Sequence, residues 1–216
     1  MSPALYERRY TLFLFSFMLM LFGDMFTRPE LDYDAQTLLI LQNMLFSLLL
    51  FKKLRRPKRV LVISLIILGT FLRIFYKVHP GLTGFPFLTI YLIYFLLISY
   101  QIYFDLIHEK QLGIEMISAA FSGYMLLGTV FSILFIAMGP SGAFKGPEGA
   151  VANADYLYFS FVTLLTIGYG DITPVTELAK KIVVLLGLMG NFYTVFVIGI
   201  ILGKFLSVQN LDIKGK

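Results

Sequence analysis

Apolar residues along this chain gather into long runs separated by short polar stretches. A helix needs roughly 20 mostly apolar residues to cross the hydrocarbon core of a bilayer. Six runs approach that length, at about 10–27, 35–52, 60–77, 87–106, 116–138 and 177–206. The last is long enough to tilt or to project beyond the membrane. A further apolar stretch, at about 154–165, is too short to span and reads as re-entrant or buried. The pattern predicts an all-α membrane protein in two parts. Residues 1–115 carry four segments joined by short loops, and residues 116–206 carry a helix, a Gly/Pro-rich loop, the short helix, a glycine turn and a final helix. Residues 207–216 are expected to be a short polar tail on the cytoplasmic side.

Composition agrees with the pattern. The 216 residues are 58% hydrophobic and only 14% charged, too little charge to cover a soluble domain of this length. Cysteine is absent, which excludes disulfides and thiolate metal sites. The first apolar run has no small-residue cleavage site after it, so it reads as a retained membrane helix and not a removed leader. The net charge of +5 does not point to nucleic acid, because of where it sits. Arg8 and Arg9 precede the first run, and "KKLRRPKR" at 52–59 lies between the second and third. Both places fall on one side of the membrane if the first two segments span. Lys/Arg-rich short loops mark the cytoplasmic face, so both termini are expected there. The basic loop then needs only topology and attraction to anionic lipid headgroups, and "TRPELDYD" on the opposite side is acidic. No His/Glu metal spacing, nucleophile motif or nucleotide-binding glycine pattern appears, which argues against an enzyme and against a cofactor.

One stretch breaks the apolar pattern. "TLLTIGYGDITP", residues 163–174, places glycines and polar groups between two runs that favour lipid. Non-helical backbone survives at membrane depth only where protein buries it or it lines an aqueous path. Gly168 and Gly170 alternate with Ile167 and Tyr169, and glycine reaches backbone angles closed to other residues. Alternating angles would aim successive carbonyls the same way while Ile167 and Tyr169 point outward and pack. The product is a ladder of oxygens: the Thr166 hydroxyl and the carbonyls of Thr166, Ile167, Gly168 and Tyr169. One chain supplies one wall of a cage for a monovalent cation, so symmetric copies must converge on an axis.

"TIGYGD" resembles the selectivity filter of potassium channels, and "YFSFVTLLTIGYGDITP" is similar to that family's pore helix, filter and outer mouth. The resemblance covers about 116–206 and, more loosely, a six-segment layout over the whole chain. It implies a homotetramer in lipid, with K+ as the permeant ion bound at Thr166, Ile167, Gly168, Tyr169 and Gly170. It also implies that the short helix aims its negative C-terminal end at a water-filled cavity. Asn153 or Asp155 is the expected cap of that helix.

Several positions depart from the family pattern. Relatives usually carry a second threonine where this chain has Leu165, a position that the resemblance places on the cavity. Tyr158 stands where many relatives have a Trp bonded to the Asp after the filter, so its hydroxyl is expected either to reach Asp171 or merely to pack. Gly190 falls where the family often has a hinge glycine, and close helix packing, with Gly187, Gly199 and Gly203 nearby, is the rival reading. Asn191 and Thr194, three apart, share a helix face that the resemblance turns to the cavity.

The first half departs most. Voltage-sensing relatives carry Arg or Lys at every third position of the fourth segment, whereas here it reads "FLTIYLIYFLLISYQIYFDL". Weak or no voltage dependence is expected. Arg73, near the outer end of the third segment, reads as a snorkelling side chain. Gln42 and Asn43 are expected to hydrogen-bond between helices, and His108 and Glu109 to lie in a solvated cytoplasmic linker. Small size without appended domains points to a prokaryotic inner membrane. Two further readings stay open: a less selective cation channel, and a non-conducting regulatory subunit.

Overall fold

The computed structural model describes residues 3–26, 32–51, 56–76, 80–108, 113–147, 149 and 151–214. Eight α-helices occur among them. They are α1 (Pro3–Glu7), α2 (Arg9–Phe22), α3 (Asp32–Ser47), α4 (Arg56–Tyr76), α5 (Pro80–His108), α6 (Ile114–Met138), α7 (Asp155–Leu164) and α8 (Glu177–Lys214). Two short strands, β1 (Phe144–Lys145) and β2 (Thr173–Pro174), pair antiparallel, with Phe144 opposite Pro174 and Lys145 opposite Thr173.

Four stretches are long and apolar enough to cross a membrane: Arg59–Tyr76, Phe85–His108, Ile114–Ser141 and Glu177–Ile201. The first two expected spans come out shorter. α2 is a 14-residue helix continued by a 3-10 turn from Gly23 to Phe26, and α3 is a 16-residue helix followed by turns through Phe51. At the other end, α8 runs on to Lys214 through the expected tail. No Gly or Pro interrupts residues 204–214, so the change to polar composition does not stop the helix.

The chain divides into two compact units, Met1–Gly123 and Tyr124–Lys216. In the first, neutral polar groups are buried among aromatic side chains. Asn43 Nδ2 of α3 donates to Ser16 Oγ of α2 at 2.8 Å, and Tyr94 of α5 donates to Ser47 Oγ at 2.8 Å. Asn43 is therefore the interhelical partner expected of it. Gln42 Oε1 is buried and accepts no hydrogen bond among the described residues. Phe17 meets Phe95 edge-on at 6.4 Å, and Tyr94 meets Phe95 at 5.1 Å. Such contacts give a neutral bundle its cohesion.

The N-terminus of α2 is held from a distance. Glu115 accepts from the Tyr10 N–H at 2.8 Å, from the Thr11 N–H at 3.3 Å and from the Thr11 hydroxyl, while the Tyr10 hydroxyl donates to Asp105. A carboxylate there complements both the free amides and the positive end of the helix. Arg73 is tied down. Its Nε donates to Thr37 Oγ1 at 3.1 Å, and its guanidinium lies 5.7 Å from the centre of the Phe87 ring. His108 is exposed and stacks on Phe104, in keeping with a solvated position, whereas Glu109 and residues 52–55 of the basic loop lie outside the described residues.

The second unit has its own core. Phe135, Phe144, Tyr156 and Phe159 pack ring against ring, with Leu127, Leu164, Ala179 and Leu186 around them. α6 and α7 approach closely at Gly128. A Cβ there would come within 3.0 Å of Phe161, and the Ser160 hydroxyl donates to the Gly128 carbonyl at 2.7 Å.

Candidate functional site

The site begins at the C-terminus of α7. A helix ends with four carbonyls that lack helical partners. Here each has a donor. The Phe161 carbonyl accepts from the Leu165 N–H at 2.8 Å, and the Thr163 carbonyl accepts from the Thr166 N–H at 3.0 Å. The Val162 carbonyl accepts from Ile167 at 2.9 Å and from Gly168 at 3.3 Å. The Leu164 carbonyl accepts from the Tyr124 hydroxyl of α6 at 2.9 Å. The first four N–H groups after the helix are thereby folded back onto it.

The backbone angles then alternate. Thr166, Gly168 and Gly170 have φ of 60°, 59° and 79°. Ile167 and Tyr169, between them, stay outside the left-handed region. Glycine reaches positive φ without steric penalty. Thr166 does not, because a β-branched residue there is strained by about 1–3 kcal/mol. Its N–H bond to the helix end helps hold it. Each N–H shares a peptide plane with the carbonyl of the residue before it, so the N–H groups of Ile167 and Gly168 that bond to α7 turn the carbonyls of Thr166 and Ile167 to the other side. Among the described hydrogen bonds, none ends on the carbonyls of Thr166, Ile167, Gly168 or Tyr169.

The side chains of this segment are open in the single chain. Ile167 is 48% and Tyr169 70% exposed, and Leu165 is exposed as well. The packing expected for Ile167 and Tyr169 is thus not supplied within one chain.

Tyr158 reaches Asp171, its hydroxyl donating to Oδ2 at 2.8 Å. This bond, with smaller help from the backbone amides of Ile172 and Asp171, holds the Asp171 carboxyl below its ordinary range. The segment after Gly170 is also pinned by the β1–β2 pair and by the Val175 N–H donating to the Ala143 carbonyl at 2.8 Å. The expected caps of α7 are not found. Ala154 occupies the N-cap position with no side-chain hydrogen bond, and Asp155 sits in the first turn, where it complements the dipole only.

On α8, Ala179, Leu186, Gly190 and Val197 form the buried face. A Cβ on Gly190 would meet Leu164 Cδ1 at 2.6 Å, so this glycine is a close-packing contact against the end of α7. Gly187 and Gly199 have open space within the chain, as does Gly203. Asn191 and Thr194 are exposed, and the Thr194 hydroxyl donates to the Gly190 carbonyl at 3.0 Å. That bond partly satisfies it at its own helix.

Three participants escaped sequence reasoning: Tyr124, Leu164 and the strand pair. Tyr124 carried a signal, since a hydroxyl within an apolar span needs a partner.

Residues 119–207 match the protein-family model described as "Ion channel". Over 57 residues the chain is 49% identical to "Two pore potassium channel c" of Oryza sativa subsp. japonica. That alignment covers 26% of this chain and 12% of the rice protein, so the chain spans only a small part of that relative. No solved structure matches. A mostly helical chain with four candidate spans therefore carries a segment similar to ion channels.

Proposed function

We propose that the chain is one subunit of a homotetrameric, potassium-selective channel that conducts K+ passively across a cell membrane. The observation that carries the reading is the alternation at Thr166, Gly168 and Gly170, together with N–H groups spent on α7. Among the described hydrogen bonds the carbonyls of residues 166–169 receive no donor, and oxygens so arranged can replace the hydration shell of a cation. Four copies would close the cage and would cover Ile167 and Tyr169, which one chain leaves bare. The likeness to ion channels and to the rice potassium channel supports the same reading.

In this proposal all six apolar segments cross or enter the membrane, with α7 re-entrant, both termini cytoplasmic and residues 1–115 acting as a neutral four-helix scaffold. Leu165, Asn191 and Thr194 face the inner cavity, which the negative end of α7 makes favourable for a cation.

The test is ion flux through reconstituted protein, with reversal potentials measured under a K+/Na+ gradient. Wild type is expected to prefer K+. Gly168→Ala is expected to abolish the preference. The space beside Gly168 is open within the chain, so the perturbation is one of backbone conformation, about 1–2 kcal/mol for each of four copies. Selective flux that survives in this variant overturns the filter assignment.

A further inference from the structure

We infer that Tyr124 is a positioning residue for the inner end of the filter, acting through the Leu164 carbonyl and linked to the inner helix at Thr194. The inference rests on the channel reading above. Of the four terminal carbonyls of α7, three are held by the backbone N–H groups of residues 165–168. The Leu164 carbonyl alone depends on another element, accepting from the Tyr124 hydroxyl at 2.9 Å. Its peptide joins the helix to Leu165, one residue before Thr166 with its strained φ of 60°. A strained residue persists only where its surroundings over-determine it. Removing one of those constraints, next to the strain, frees the peptide to rotate and Thr166 to relax toward an ordinary conformation. The Thr166 oxygens would then leave the position that selects the ion.

α8 reaches the same point twice. Gly190 packs on the Leu164 side chain, and the Thr194 hydroxyl, one turn further on, lies near that of Tyr124 while donating its own hydrogen to the Gly190 carbonyl. The Tyr124 ring lies 5.7 Å from that of Tyr193. The hydroxyl on α6 thus sits where the end of the pore helix meets the inner helix.

The experiment compares wild type, Tyr124→Phe, Thr194→Val and the double variant as full-length chains in planar bilayers. K+ and Na+ are the probes, and the readouts are the permeability ratio and the mean open time. Tyr124→Phe keeps the ring packing and loses only the hydroxyl. It is expected to lower the K+/Na+ permeability ratio by roughly fivefold, the scale of one lost hydrogen bond. Thr194→Val is expected to shift the same ratio in the same direction by less, and the double variant to match Tyr124→Phe, because both changes act on one link. If Tyr124→Phe does not assemble, Thr194→Val carries the test alone. Wild-type selectivity with unchanged ratios in the single variants overturns the inference and leaves the channel reading intact. A wild-type chain that does not discriminate K+ from Na+ overturns the channel reading itself.

Discussion

Replacing Gly190 with Ala separates a packing glycine from a hinge glycine. The added Cβ would lie 2.6 Å from Leu164 Cδ1, where carbon atoms ordinarily rest about 3.5–4.0 Å apart. About 1 Å of movement is required. The terminus of a leucine would normally yield, but Leu164 is 2% exposed, and its Cδ2 lies 3.2 Å from the Cβ position of Gly128 on the other side. That Cβ position is empty in glycine, but Leu164 fills the space beside it within the core of the second unit and has little room to retreat. Overpacking of this kind costs about 1–3 kcal/mol. Alanine returns about 1 kcal/mol of helix propensity. The expected outcome is a net loss of up to about 2 kcal/mol per subunit. Thermal unfolding of the purified protein, followed by circular dichroism, measures it. Gly187→Ala is the control, because a Cβ there meets nothing within 4 Å in the chain, and it is expected to hold or gain stability. Leu164→Val in the Gly190→Ala background is expected to recover part of the loss, since the two sites are in contact. A Gly190→Ala protein as stable as Gly187→Ala, with only its opening impaired, would refute the packing argument and favour a hinge.

Two further predictions follow from charged groups. Tyr158→Phe should return Asp171 toward the ordinary carboxylate range. In wild type the Asp171 contribution is present above the unfolded carboxylate pKa and is lost as pH falls through the lowered folded value. The acid limb of conductance is therefore expected to start at higher pH in the variant, and coincident acid limbs would show that the Tyr158 bond does not govern the carboxyl. Open probability against voltage is expected to be shallow. One charge crossing the field couples at about 2.3 kcal/mol per 100 mV, the fourth segment has no basic residue, and Arg73 is bonded to Thr37. A curve requiring several charges per subunit would contradict this.

The sequence made some features legible because they depend on local chemistry. Long apolar runs predicted α4, α5, α6 and α8 to within a few residues at most ends, and the glycine spacing predicted positive φ at Gly168 and Gly170. The Tyr158–Asp171 bond was one of two readings, and the structure supports it. Other features depend on tertiary context. Thr166 belongs to a type that avoids positive φ, and only the fold around it imposes that angle. The β1–β2 ladder is two residues long on each side, too short for an alternating pattern to register. Asn153 and Asp155 are both good cap types, yet Ala154 takes the position because the chain enters α7 through a turn in which the Asp155 N–H bonds to Ala152. The division of Gly190 between hinge and packing required the position of Leu164, which no spacing rule supplies.

Both units place polar groups where lipid-facing chains avoid them, and the way those groups are satisfied separates scaffold from path. In the first unit they include the side-chain pairs Asn43 with Ser16 and Tyr94 with Ser47 and the carboxylates of Asp105 and Glu115 that accept from α2, and buried atoms without a described partner, such as Gln42 Oε1 and Asn43 Oδ1, are single. A single buried acceptor costs about 1–3 kcal/mol if unmet and is an isolated defect. In the second unit the imbalance is consecutive and one-sided. The N–H groups of residues 165–168 are consumed by the end of α7, whereas the carbonyls of residues 166–169 receive none of the described hydrogen bonds. In the channel proposed above, which sets this segment at membrane depth, four successive carbonyls without protein donors call for something that continually replaces those donors. A mobile cation in that channel would do so for each oxygen in turn, without a proton that would hold it in place. The strain kept at Thr166 has the same logic: the residue gives up an easy conformation, and the oxygen ladder extends by one more rung.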